Sequence, residues 1–169
     1  RWFAPSPSTV HTDRLKSSIR KKSMINGIHH TALSVKDMDR SLAFYRDLLG
    51  LELSMDRSWD NAGAVGDKIL RVKGTAARQT MLRIGNSNNY IELFQFNKPE
   101  PTPMAEDRPV IDRGITHICL DVTDVDSEYE RLSVAGVIFH CEPQDLGLGC
   151  RTTYGRDPDG NVVEFQELF

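Results

Sequence analysis

Apolar and polar positions alternate over residues 28–35, which predicts a strand with Leu33 and Val35 on one face and His30, Ala32 and Ser34 on the other. Asp37 follows as a helix N-cap, and Met38, Leu42, Tyr45 and Leu49 recur at helical spacing before Gly50 stops the run. The same succession returns later. Residues 115–122 alternate, Asp124 can cap, Val125, Tyr129 and Leu132 form an apolar stripe, and Gly136 ends it. Further strands are predicted at 51–59, 79–84 and 90–96 after the first helix, and at 137–141, 151–154 and 161–166 after the second. Asp157-Pro158-Asp159-Gly160 is a hairpin turn, because Pro presets φ and Gly supplies a positive φ. Residues 60–74 read as an inserted loop with a short helix.

The recurrence is an internal repeat. Residues 27–40 align with 114–127 at an offset of 87, and seven of 14 positions are identical: Gly27/Gly114, Ile28/Ile115, His30/His117, Leu33/Leu120, Val35/Val122, Asp37/Asp124 and Asp39/Asp126. Each copy is therefore β-α-β-β-β. The expected organisation is a first module at 24–96, a linker at 97–113 rich in proline, and a second module at 114–169.

Composition narrows the class. The chain has 169 residues, 39% of them apolar and 27% charged, with a net charge of −3. It has no apolar run long enough for a membrane span. A pI near 6.0 argues against nucleic acid as a partner. Cys119, Cys141 and Cys150 have no paired spacing, which favours a reducing compartment such as the cytoplasm. Residues 1–23 hold six Lys and Arg against one Asp, with no apolar signal core, and are expected to be a basic, disordered leader.

The alternation also assigns faces. His30 and His117 project from the side of their strands away from the helices. On the last strand of each copy, Glu92 lies opposite Ile91 and Leu93, and Glu164 lies opposite Val163 and Phe165. Both carboxylates then share the histidines' face. One histidine on a half-buried strand is most often structural, and one such glutamate is most often solvated or salt-bridged. Recurrence at equivalent places in both copies changes that reading. A carboxylate among apolar strand residues is costly unless paired or metal-bound, and two imidazoles with two carboxylates suit a divalent transition metal. His29 aligns with Thr116 and is expected on the helix side. His11 and His140 have no repeat partner and are assigned to the surface.

The segments HTALSVKDMDRSLAFYRDLLGLEL, YIELF, HICLDVTDVD and DPDGNVVEF resemble the vicinal oxygen chelate superfamily, which includes glyoxalase I, methylmalonyl-CoA epimerase, extradiol dioxygenases and bleomycin-type antibiotic-resistance proteins. The resemblance spans about residues 25–169. It implies an α+β fold of two tandem βαβββ modules forming a curved mixed sheet around a metal cleft. It implies metal ligands at His30, Glu92, His117 and Glu164. About one divalent ion per chain is expected, and the imidazoles favour Ni, Co, Zn or Mn over Mg. The resemblance also implies pairing into a homodimer, with modules joined within or between chains.

The ligand set resembles glyoxalase I and the related epimerases. Extradiol dioxygenases use two His and one carboxylate on Fe(II), and a fourth ligand at Glu92 would crowd catechol and oxygen. Where glyoxalase I tends to carry an Arg and an Asn for glutathione, this chain has Ser34 and Phe96. Tyr90, Phe94 and Phe96 make that wall aromatic, and Tyr154 joins them as a substrate-binding candidate. The expectation is a lyase or isomerase that removes an α-proton from a metal-chelated oxygenated carbonyl or thioester, with Glu164 and Glu92 as catalytic candidates. An Fe(II) dioxygenase and a small-molecule-binding resistance protein without catalysis are the alternatives.

Overall fold

The computed structural model describes residues 24–169 apart from Leu148, so the expected leader at 1–23 lies outside the described residues. The first repeat runs β1 (His30–Ser34), α1 (Met38–Leu42) with a π-helical continuation (Ala43–Leu48), β2 (Glu52–Trp59), α2 (Gly63–Leu70), β3 (Ala76–Arg83) and β4 (Tyr90–Lys98). The second runs β5 (Ile118–Asp121), α3 (Val125–Val134), β6 (Gln144–Asp145), β7 (Cys150–Arg156) and β8 (Val162–Leu168).

The fold is α+β with two βαβββ-type repeats, as expected, and each repeat contributes one four-stranded mixed sheet. The strand orders are β1-β4-β3-β2 and β5-β8-β7-β6. In each sheet the first strand pairs parallel with the last, and the other pairs are antiparallel.

Both predicted caps are present. Asp37 accepts from the backbone N–H groups of Asp39 and Arg40, each at 3.0 Å, and Asp124 accepts from Ser127 N at 3.1 Å. The first helix widens after one turn, with Leu49 N donating five residues back to Phe44 O. The Asp157–Gly160 turn joins β7 to β8, and Gly160 takes a φ of +85°. Residues 137–141, expected as a strand, make only an isolated bridge from Phe139 to Gly155, and the paired strand is the short β6 that follows Pro143. Proline has no N–H for a ladder, so the pairing restarts beyond it. β4 continues to Lys98, two residues past the predicted end.

One apolar core serves both repeats. Val35, Met38, Leu42, Tyr45, Ile91 and Leu93 from the first cluster with Leu120, Val125, Leu132, Val163 and Phe165 from the second. α1 with its π-helical continuation, α3 and the helix-side faces of both sheets are thus committed to a common interior, whereas α2 buries none of its residues. The other face of each sheet looks away from that core. On β1, His30, Ala32 and Ser34 are exposed while Val35, just beyond the strand, is buried.

Candidate metal centre

Alternation brings each histidine beside its glutamate. In the first sheet Ala32 pairs with Glu92 in register, and His30 Nε2 lies 3.3 Å from Glu92 Oε2. In the second, Cys119 pairs with Glu164, and His117 Nε2 lies 2.9 Å from Glu164 Oε2. Both glutamates are buried, whereas the histidine side chains remain 41% and 28% exposed. Each pair therefore opens outward.

The two pairs are braced alike. His29 Nδ1 lies 2.9 Å from His30 Nδ1, and Thr116 Oγ1 lies 3.0 Å from His117 Nδ1. The residue preceding each histidine occupies its Nδ1 side and leaves Nε2 for the carboxylate. Such second contacts fix the ring orientation of a ligand. His29, expected among the helices, is instead exposed, 5.1 Å from the Tyr90 ring. It precedes β1, so strand alternation does not govern it. His140 is exposed, as expected.

The remaining carboxylate oxygens are held from a neighbouring strand. Gln79 Nε2 donates a short hydrogen bond to Glu92 Oε1, and Thr152 Oγ1 donates to Glu164 Oε1 at 2.7 Å. Neither residue was among the sequence candidates. β3 and β7 carry other polar residues, among them Arg78, Thr80, Arg151 and Thr153, so the sequence does not single out Gln79 or Thr152; only their registers against β4 and β8 do.

The aromatic wall forms on the first sheet. Phe94 and Phe96 stack with centroids 5.3 Å apart, and Trp59, also missed, lies 6.3 Å from Phe94. Ser34 and Phe96 line a cavity of about 590 Å³ together with Pro101, Pro103 and Met104 of the linker. Tyr154 stands on the second sheet, 4.9 Å from the His117 ring. Burial, then the charge of Glu164, raises its hydroxyl pKa above 10.0. Burial chiefly, with Glu164 next, pushes the Cys119 thiol up to about 12. All three cysteines are free.

An imidazole nitrogen and a carboxylate oxygen converging on an open face fit half of a divalent transition-metal site. Two such halves supply the full donor set. They are not gathered within one chain: among the described residues no group of three or more His, Cys, Asp or Glu is close enough to hold a metal.

The glyoxalase/bleomycin resistance protein/dioxygenase family model matches residues 27–165. The chain belongs to that superfamily. Members of the glyoxalase superfamily typically bind a divalent metal. Among its relatives is a 2-epi-5-epi-valiolone epimerase from Actinomyces, 35% identical over 147 residues that cover 83% of this chain and 79% of the relative. A lactoylglutathione lyase from Pseudomonas aeruginosa is 31% identical over 80% of this chain and 79% of its own length. A glyoxalase family protein from Bacillus cereus shares the fold, with a TM-score of 0.79, 20% identity, and coverage of 88% of this chain and 97% of that one. Within this superfamily chain, no helix among the described residues is long and apolar enough to cross a membrane.

Proposed function

We propose that this glyoxalase-superfamily chain is a divalent-metal-dependent lyase or isomerase, with each metal held by His30 and Glu92 of one copy and His117 and Glu164 of another. The observation that carries the reading is the pair of matched His–Glu half-sites on outward faces, held apart by a shared core. A twofold dimer brings the first sheet of each copy to the second sheet of its partner and completes two equivalent sites. Exposed apolar side chains support a covered surface: Val65 and Ile69 of α2 are 72% and 77% exposed, and Ile115 is 72% exposed.

A metal bound there supplies Lewis acidity toward a carbonyl and its neighbouring oxygen. The chain's own residues do the rest. Gln79 fixes one oxygen of Glu92 and is itself braced by Arg57 Nε at 2.6 Å, which suits a permanent ligand. Thr152 has one hydroxyl hydrogen to share between Glu164 Oε1 at 2.7 Å and Phe165 O at 3.1 Å. When the hydroxyl turns to the carbonyl, Glu164 is freed of that restraint. Glu164 is accordingly the carboxylate that takes the α-proton and returns it. Ser34 and the Phe94–Phe96 wall receive the substrate's carbon skeleton.

Mixing two defective variants tests the shared site. His30→Ala/Glu92→Ala and His117→Ala/Glu164→Ala should each bind little nickel. Unfolded and refolded together, they should recover roughly a quarter of the wild-type sites, because a mixed dimer holds one intact set. No recovery in a sample that sediments as dimer would overturn the arrangement.

A further inference from the structure

We infer that Arg57 is an anion receptor beside the proposed metal face, so that the substrate carries a carboxylate or phosphate as well as the chelated oxygens; this rests on the metal-site reading above. Register places Arg57 opposite Gln79, and Gln79 opposite Phe94, which puts the guanidinium on the face that bears Glu92. Its fixed position comes from two neutral groups. Nε donates to Gln79 Oε1 at 2.6 Å, and the guanidinium carbon lies 5.7 Å from the centre of the Trp59 ring.

The other strand arginines are satisfied. Arg78 bonds Asp39 and Asp56, Arg83 bonds Glu52, and Arg151 bonds Asp126. Arg156 is held by three backbone carbonyls. Among the described residues Arg57 has no carboxylate partner. A second observation points the same way: the Trp59 indole Nε1 is buried and has no acceptor among the described residues. Donors are thus in surplus where the aromatic wall meets the strand. A planar guanidinium held in place by an amide and an indole loses little freedom on binding, and its remaining N–H groups match the geometry of a carboxylate or phosphate.

Hexanoate, hexyl phosphate and neutral hexanamide are suitable probes, each with an alkyl tail for Phe94 and Phe96. The chain has two tryptophans, so a full-length Trp2→Phe variant makes Trp59 the sole fluorescent reporter. Without metal, at least one anion should bind tenfold or more tightly than hexanamide. The preference should persist in Arg57→Lys and vanish in Arg57→Gln. The tighter anion identifies the charged group as carboxylate or phosphate. Should Arg57→Gln fail to melt as a folded protein, Arg57→Met keeps the stem packed on Trp59 and serves instead. Equal affinities for all three probes, or an undiminished preference without Arg57, overturns the receptor. Nickel binding measured on the same samples separates the two readings. Intact metal binding with no anion preference removes Arg57 alone, and anion preference without metal binding removes the metal site alone.

Discussion

The Tyr45 hydroxyl donates a 2.8 Å hydrogen bond to Asp157 Oδ2, across 112 positions of sequence and between the two repeats. Tyr45 leaves the first helix almost fully buried, and Asp157 opens the β7–β8 turn. Arg40 reinforces the contact through Asp159 at 2.7 Å. These bonds dock the repeats through the helices and so turn both His–Glu faces outward. Tyr45→Phe should lower unfolding stability by about 1–3 kcal/mol, because the buried carboxylate loses a donor. Denaturant unfolding at neutral pH checks this.

Burial raises the Asp157 carboxyl above its ordinary 3.8, against the pull of Asn161, Tyr45 and the backbone donors. The folded chain therefore keeps a proton that the unfolded chain has already released. Stability from this group is greatest below 3.8 and falls as the pH rises through the raised value. Wild type should lose ground to Asp157→Asn over that interval and hold a constant difference above it. Unfolding curves across a pH series, in which wild type instead gained, would contradict the sign.

Gly160 admits no side chain. Its φ is +85°, and a Cβ there would lie 2.2 Å from Glu106 O and 2.5 Å from Glu106 Cα in the linker. Gly160→Ala should cost ~2 kcal/mol or more, since both clashing atoms are backbone. Thermal unfolding measures it.

Gln79→Leu should weaken metal binding roughly 10- to 100-fold without unfolding the sheet, because Glu92 loses the donor that fixes its second oxygen. Competition against a metal chelator gives the affinity. The Gln79→Glu variant should be at least as damaging, by repulsion.

Metal-loaded wild type should move solvent deuterium to the α-carbon of a 2-hydroxy or 2-oxo carbonyl substrate or a thioester. Glu164→Gln should lose at least 100-fold of that exchange while keeping its fold. Oxygen-dependent catechol cleavage with Fe(II), and no exchange on any carbonyl, would point to a dioxygenase instead.

The sedimentation of the full chain at micromolar concentration should be that of a dimer. A monomer that nonetheless binds nickel through all four candidates would require the sheets to meet within one chain.

Local physics made much of this legible in the sequence. Period-two alternation on β1 and β4 assigned His30 and Glu92 to one face, and the repeat carried the same assignment to His117 and Glu164. Asp37 and Asp124 were recognisable as caps because capping depends on neighbours three residues away. The long-range pairings were not legible. Nothing in the sequence sets which residue of β3 lies opposite Phe94, so only the register places Gln79, Arg57 and Trp59 beside the wall. His29 lies just outside β1, so the strand's period does not set its face. Above all, alternation fixes a side chain's face relative to its own helix and is silent on how two modules dock. Burying Tyr45, Leu132 and Phe165 in one core decided that, and among the described residues it leaves the His30–Glu92 and His117–Glu164 pairs apart rather than gathered in one cluster.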